Sequence, residues 1–449
     1  MTMDLQQQVR HEQQKLESVV ADALEMARQL GANSAEVSIS KQTGISVNTR
    51  GGDVESIEFN KDGALGIAVY RDGCKGSSST TDLSTAAVRR AVEAALEISR
   101  HTSVDPYAGL AEAQWLAWDV PDLDLLHPMV LDPEVGLDLA RRCEAHAVSL
   151  DKRIKQSDGA GFSSHNGIKV YGNSHGFIKG YAGSRHSLSC VLIGEQDGEM
   201  QRDYGYSSCR AIEDLWTPEK IAQEAVERTV SRLGARKIGT TSVPVLFDPE
   251  TAAGLFGHLV AAISGGNLYR KSSFLLDALG QHIFPNWLNI FEQALLPRGL
   301  ASSAFDGEGV KTRDQKIIAA GKLKTYLLTC YSARKLGMVS TGHAGGIHNW
   351  LVKGQGQTRQ ELLRQMGTGL YITELMGQGV NIVTGDYSRG AAGFWVENGE
   401  ICYPVEEITI AGNLKEMFRS MVAVGDDWDP RSNVRVGSVL LDNMKVAGN

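Results

Sequence analysis

The sequence predicts an α+β protein: two related helix–β-hairpins–helix units followed by a β-rich C-terminal domain. Three observations predict it. A helix, a run of strand-like pieces split by glycine turns, and a second helix follow one another within residues 1–118. The same order recurs within 119–239. From Ser242 onward the texture changes to short strand patterns with glycine-rich turns, over 240–449. A chain of 449 residues also exceeds what one ordinary core accommodates, so division into domains is expected.

In the first unit, Leu16, Val19, Val20, Ala23, Leu24, Ala27 and Leu30 share one face of a helix over residues 6–30, which Gly31 ends. Strand-like pieces follow at 35–40, 44–49, 54–60 and 63–70. The turns Arg50-Gly51-Gly52-Asp53, Lys61-Asp62-Gly63 and Arg71-Asp72-Gly73 punctuate them. Asp82 to Ser84 caps a second helix with Ala87, Val88, Ala91, Ala94, Ala95 and Ile98 on its face.

The second unit has a helix over 133–150, strand-like pieces at 154–160, 166–171, 176–183, 186–195 and 199–207, and a closing helix over 218–233. Gly44-Ile45-Ser46-Val47 and Gly167-Ile168-Lys169-Val170 hold equivalent places in the two units. The Pro- and Asp-rich stretch 118–128 connects them.

The third section opens on a short buried strand, Pro244 to Phe247, feeding a helix over 251–263. Asp248 is placed to cap it, Pro249 suits the first helical position, and Glu250 favours the positive end of the dipole. Leu255, Phe256, Leu259, Val260 and Ile263 form its buried face, and His258 lies off that face. Short strands are expected at 370–375, 388–397 and 400–405, with Asn398-Gly399 at a hairpin turn, then a short helix over 413–421. The tail 434–446 alternates like an edge strand.

Composition narrows the function. A formal net charge of −8 argues against a nonspecific hold on nucleic acid. Residues 1–14 carry no apolar run and no stretch is long enough to span a bilayer, so a cytoplasmic location is expected. Cys74, Cys143, Cys190, Cys209, Cys330 and Cys402 form no C-x-x-C pair and read as reduced thiols. Cys330, after Leu327-Leu328-Thr329 in an apolar strand, reads as a buried structural thiol.

Several residues could carry chemistry. His343 and His348 flank a glycine loop and could bind a transition metal, but no Cys or carboxylate at ligand spacing completes a site. His258 could act as a general base, or simply be a surface group on a helix. Asp386, Arg389 and Glu397 either line a cleft or form a salt-bridged hairpin. Gly76-Ser77-Ser78-Ser79-Thr80 lacks the lysine of a phosphate loop. On the residues alone, function stays open between a hydrolase with a dispersed site and a subunit offering a peptide-binding groove.

Long blocks of the chain resemble the TldD/PmbA family. They are Ser302 to Val310, Tyr331 to Gly337, Ser340 to Trp350, Gly379 to Gly390 and Val396 to Glu400, with Ser46 to Arg50 and Glu58 to Gly66 agreeing near the N-terminus. The resemblance implies a cytoplasmic bacterial peptidase assembly. It is associated with maturation of a ribosomally made peptide antibiotic, with antitoxin degradation and with a description as a modulator of DNA gyrase. Its zinc-bearing members carry His-Glu-x-x-x-His on the helix after Asp248, with a cysteine near the C-terminus as third ligand.

Here the equivalent run is Gly257-His258-Leu259-Val260-Ala261-Ala262. Gly257 and Ala262 stand where the two histidines would be, His258 stands at the glutamate position, and the last cysteine is Cys402. Glycine and alanine side chains offer no ligand atom. The resemblance therefore implies a subunit that binds no zinc itself, with the metal in a TldD-like paralogue as partner and unfolded peptides as substrates. The alternatives are a regulatory binding protein acting as a homodimer, and an autonomous peptidase using His343 and His348. No catalytic residue is assigned; His258, His343, His348 and Arg389 are the candidates for lining a cleft.

Overall fold

The computed structural model describes residues 4–448. The first unit contains α1 (Leu5–Gln29), β1 (Ser34–Arg50), β2 (Asp53–Arg71), β3 (Cys74–Thr80) and α2 (Thr85–Ser99). The second contains α3 (Pro133–Leu150), β4 (Ile154–Asn173), β5 (Ile178–Gln196), β6 (Glu199–Cys209) and α4 (Pro218–Ser231). The helix starts follow from the sequence. The side chains of Ser84, Asp132 and Thr217 each accept a backbone N–H of the first turn, and Pro133 and Pro218 sit where no intrahelical donor is needed.

The six strands form one sheet in the order β3-β2-β1-β4-β5-β6. β1 and β4 pair antiparallel from Glu36 with Asn173 to Thr49 with Ala160, so the two units share a single sheet. Odd-numbered positions of β1 point to one face. Val37 and Ile39 pack under α1 and α2, while Ile45 and Val47 pack under α3 and α4. The four helices therefore cover one face side by side.

The strands are longer than expected. The pieces 35–40 and 44–49 are one strand, as are 54–60 with 63–70, 154–160 with 166–171, and 176–183 with 186–195. The Lys61-Asp62-Gly63 turn does not form, because these residues pair directly with Thr43, Gln42 and Lys41. β1 is paired on both sides, and that ladder overrides local turn chemistry. Gly44 serves close approach: a Cβ there would lie 2.1 Å from His165 Nδ1.

The third section has β7 (Thr241–Phe247), α5 (Pro249–Ala262), α6 (Gly265–Tyr269), β8 (Ile290–Gln293), β9 (Gln315–Ala319), β10 (Lys322–Leu323), α7 (Cys330–Leu336), β11 (Asn349–Val352) and α8 (Arg359–Met366). It continues with β12 (Gly369–Met376), β13 (Asp386–Glu397), β14 (Glu400–Asn413), α9 (Leu414–Arg419), β15 (Met421–Val424), β16 (Val434–Arg435) and β17 (Val439–Ala447). One sheet runs β14-β13-β12-β7-β17-β15, with β14 also pairing β17; the other runs β10-β9-β8-β11-β16.

Three expectations are corrected here. Most of the tail is not an edge strand: β17 pairs β7, β15 and β14 and curls the sheet back on itself, while β16 lies at the edge of the other sheet beside β11. Cys330 opens helix α7 instead of lying in a strand, although it is buried. The section also holds more helix than expected. α7 and α8 are set by capping boxes, Thr329 with Ser332 and Thr358 with Glu361, a spacing present in the sequence.

Charged groups join this section to the second unit. Arg228 of α4 binds Asp203 at 2.9 Å and Glu250, in the first turn of α5, at 2.8 Å. Arg431 lies over the rings of Tyr206 and Trp216 and binds Glu224 at 2.7 Å. Helix α5 is thus held at its start by the N-terminal body as well as by its own sheet.

Candidate functional site

Helix α5 begins as its sequence dictates. Asp248 Oδ1 accepts from the Glu250 N–H at 3.1 Å, and Asp248 Oδ2 accepts from the Tyr371 hydroxyl at 2.7 Å. Burial pushes the Asp248 carboxyl above its usual range, against the pull of the Tyr371 and Glu250 hydrogen bonds. Leu255, Phe256, Leu259 and Ala262 pack into the domain core. Gly254 and Gly257 are on the open side, and a Cβ at either would meet nothing within 4 Å.

Of the two positions that the resemblance aligns with zinc-binding histidines, one is on the surface and the other in the core. Gly257 is exposed, whereas Ala262 is fully buried.

His258 lies on the same side as Gly254 and is half-buried. Its ring meets Tyr387 of β13 nearly edge-to-face, with centroids 5.9 Å apart. Tyr387 and Arg389 are two residues apart on β13 and so project from one face of the strand. Tyr387 is only 2% exposed, yet its hydroxyl has no hydrogen-bond partner among the described residues. Arg389 Nε donates to the Met376 carbonyl at 3.1 Å.

Neither Asp386 nor Glu397 pairs with Arg389. Asp386 accepts from Thr384 and Asn413, and Glu397 accepts from the Trp395 indole. The salt-bridged hairpin is therefore not what the chain builds. Burial, then the Arg389 charge, lowers the His258 pKa. Burial pushes the Tyr387 hydroxyl up to about 12, with Arg389 pulling the other way. His258, Tyr387 and Arg389 thus form one electrostatically linked group beside the open side of α5.

His343 and His348 lie elsewhere and do not line a cleft. Both are buried, and both turn toward a carboxylate that sequence spacing did not suggest, Glu292 of β8. His343 Nε2 lies 2.9 Å from Glu292 Oε2, and Gln315 Nε2 donates to the same oxygen at 2.9 Å. Glu292 Oε1 accepts from the His348 N–H at 3.0 Å and the Trp350 indole at 3.2 Å, with His348 Nδ1 at 3.3 Å. On its far side His343 Nδ1 meets the Thr341 hydroxyl at 2.8 Å.

Burial opposes ionisation of Glu292, but the hydrogen bonds from His343 and His348 prevail and hold the carboxyl well below its usual range. One ligand atom from each of Glu292, His343 and His348 lies within 4.8 Å of the others, so this trio could hold a divalent ion. As the chain folds, however, both carboxylate oxygens are occupied by donors, and the cluster fastens the glycine loop after Gly342 to β8.

Sequence reasoning missed Glu292 and Tyr387. Glu292 lies 51 and 56 positions from the two histidines, so no local spacing announces it. Tyr387 was legible in principle, since it alternates with Arg389 on one strand face.

Family comparisons agree with the fold along nearly the whole chain. Models of PmbA/TldA metallopeptidase domain 1, the central domain and the C-terminal domain match residues 35–99, 127–233 and 240–448. The chain is 57% identical to Metalloprotease PmbA of Escherichia coli O157:H7, over 100% of this chain and 99% of that one. It is 53% identical to the Metalloprotease PmbA homolog of Haemophilus influenzae, over 98% and 97%.

Among solved structures, a Bacteroides thetaiotaomicron protein described as a candidate modulator of DNA gyrase superposes with a TM-score of 0.90. It has 26% identity, over 96% of this chain and 98% of that one. TldE from Thermococcus kodakarensis, at 20% identity, shares the fold with a TM-score of 0.85 over 96% and 100%. With three domain models matched in order and full-length relatives above half identity, the chain belongs to the PmbA/TldD family of metallopeptidases.

Proposed function

We propose that this chain is the subunit of a two-subunit cytoplasmic zinc peptidase that lacks the peptidase metal. A TldD-like paralogue carries the zinc and the water-activating glutamate, and this chain completes the chamber. It helps admit unfolded or small peptides, by addition of the peptide as a strand at a sheet edge. Peptide-antibiotic maturation and antitoxin degradation are the processes such an assembly serves.

The observation that carries this reading is helix α5. In a chain 57% identical to a Metalloprotease PmbA, the helix presents Gly257 and His258 on its open side and buries Ala262. Glycine and alanine supply no ligand atom, so this helix brings no two-histidine zinc site to the assembly. No helix among the described residues is long and apolar enough to cross a membrane.

The test is zinc content and peptide cleavage, measured for the chain alone and with its His-Glu-x-x-x-His paralogue added. The chain alone is expected to be inert, and the mixture to hold zinc in the paralogue and cleave in a chelator-sensitive way. Stoichiometric zinc together with cleavage by the chain alone would overturn the reading and direct attention to Glu292, His343 and His348.

A further inference from the structure

We propose that His258, Tyr387 and Arg389 form an anchor for a peptide carboxylate on the open side of α5. The proposal rests on the peptide-admitting role given above and names the group that this chain recognises.

The first observation is an unused cation. Arg389 is half-buried and its Nε is spent on the Met376 carbonyl, but its two terminal nitrogens have no hydrogen-bond or ion-pair partner among the described residues. The chain has 53 Asp and Glu against 45 Lys and Arg, so carboxylates to neutralise it are not scarce. Asp386 and Glu397, close by in sequence, bond elsewhere. A guanidinium left with both terminal nitrogens free presents the planar fork that matches a carboxylate.

The second observation is independent. The Tyr387 hydroxyl is buried without a partner, next to the imidazole of His258, which also makes no hydrogen bond among the described residues. Buried polar groups are almost always paired, so this hydroxyl, itself closed to solvent, is left for a ligand atom that enters as the half-buried His258 ring beside it turns aside. With its pKa raised to about 12, Tyr387 keeps its proton and can donate it. A carboxylate, which only accepts, suits a donor set of arginine fork, phenol and imidazole N–H.

The third observation concerns access. Gly254 and Gly257 leave two positions beside His258 on the open side of α5 without side chains, and nothing lies within 4 Å of where their Cβ atoms would be. An extended main chain can run past these two positions and end at Arg389. The C-terminal carboxylate of a peptide meets these requirements, and an acidic side chain near the C-terminus offers the same chemistry.

Fluorescence anisotropy with the full chain tests the proposal. The probe is a fluorescein-labelled hexapeptide of apolar residues in three forms: free C-terminal acid, C-terminal amide, and amide with aspartate at the last position. The free acid is expected to bind about tenfold more tightly than the amide, the loss typical of a charge-assisted hydrogen bond. Arg389→Gln should bring that ratio to about one, and Arg389→Lys should retain part of it. Tyr387→Phe, which breaks no hydrogen bond among the described residues, should reduce the ratio about threefold and serves if the arginine variant misfolds.

Binding of the aspartate amide as tightly as the free acid assigns the site to any carboxylate; binding as weak as the plain amide assigns it to the peptide terminus. Equal affinity for acid and plain amide, no binding of either, or a ratio unchanged in both Arg389→Gln and Tyr387→Phe overturns the proposal. Paralogue-dependent cleavage, scored separately, fails or succeeds independently of this ratio, so the two readings fail in distinguishable ways.

Discussion

The C-terminal domain holds two histidine clusters of opposite character. Around Glu292, both carboxylate oxygens are occupied, His343 is engaged at both ring nitrogens, and the group is sealed from solvent. Around Arg389, the guanidinium uses one of its three nitrogens, the Tyr387 hydroxyl is orphaned, and His258 makes no hydrogen bond among the described residues. A saturated network fixes structure, because each bond is repaid inside the fold. An unsaturated one costs the fold something and is poised to recover it from a ligand. The histidines of the glycine loop are thus bonded within the fold, while Tyr387, an inconspicuous strand residue, keeps an unpaired hydroxyl.

Breaking the saturated cluster should have the largest effect. Glu292→Ala leaves several buried donors without an acceptor and is expected to cost about 3–5 kcal/mol, read as a lowered denaturant midpoint for the C-terminal domain. The contribution of Glu292 also depends on pH. Its folded pKa is depressed, so its stabilisation is complete above the ordinary carboxyl value of 4.5 and is lost as pH falls through the folded value. Stability should therefore decline below pH 4.5, and Glu292→Gln should flatten that decline. An unchanged acid limb in the variant would mean that the carboxylate is not the group responsible.

Thr341→Val should rank next. The hydroxyl meets His343 Nδ1 and accepts from the Leu328 N–H at 2.7 Å, so its loss strands both inside the protein. A cost of about 1–3 kcal/mol is expected by the same chemical denaturation. The unsaturated cluster supplies the contrast. Tyr387→Phe removes a buried hydroxyl with no partner among the described residues and should leave stability unchanged or raise it, by up to about 1 kcal/mol. A loss comparable to that of Thr341→Val would show that Tyr387 is structurally engaged and erase the distinction between the clusters.

What was legible in the sequence was local. The cap by Asp248 and the proline after it placed the start of α5 correctly, and Ser84 did so for α2. The capping boxes at Thr329 and Thr358 were equally local but went unread. The strands run longer than their patterns suggest because Lys61-Asp62-Gly63 has turn chemistry, and pairing with residues 41–43 keeps it extended. For the site, His258 and Arg389 were visible as residue types, but their proximity depends on α5 packing against β13. Glu292 was invisible for the same reason: the fold, and no spacing, brings it to His343 and His348. The long blocks shared with relatives carried the family; they did not reveal which histidines are buried.

The sheet shared by the two N-terminal units has a consequence for how the chain is made. Residue 36 finds its partner only when residue 173 has emerged, because β1 is hydrogen-bonded along one side to β4. At roughly 5–20 residues per second of synthesis, the first unit waits several seconds with the free edge of β1 uncovered. An exposed strand edge invites pairing with any other nascent chain. The two units share one sheet despite the repeated order of helices and strands, and the pairing that joins them is among the most non-local in the molecule. Pairings between segments this far apart in sequence favour slow folding.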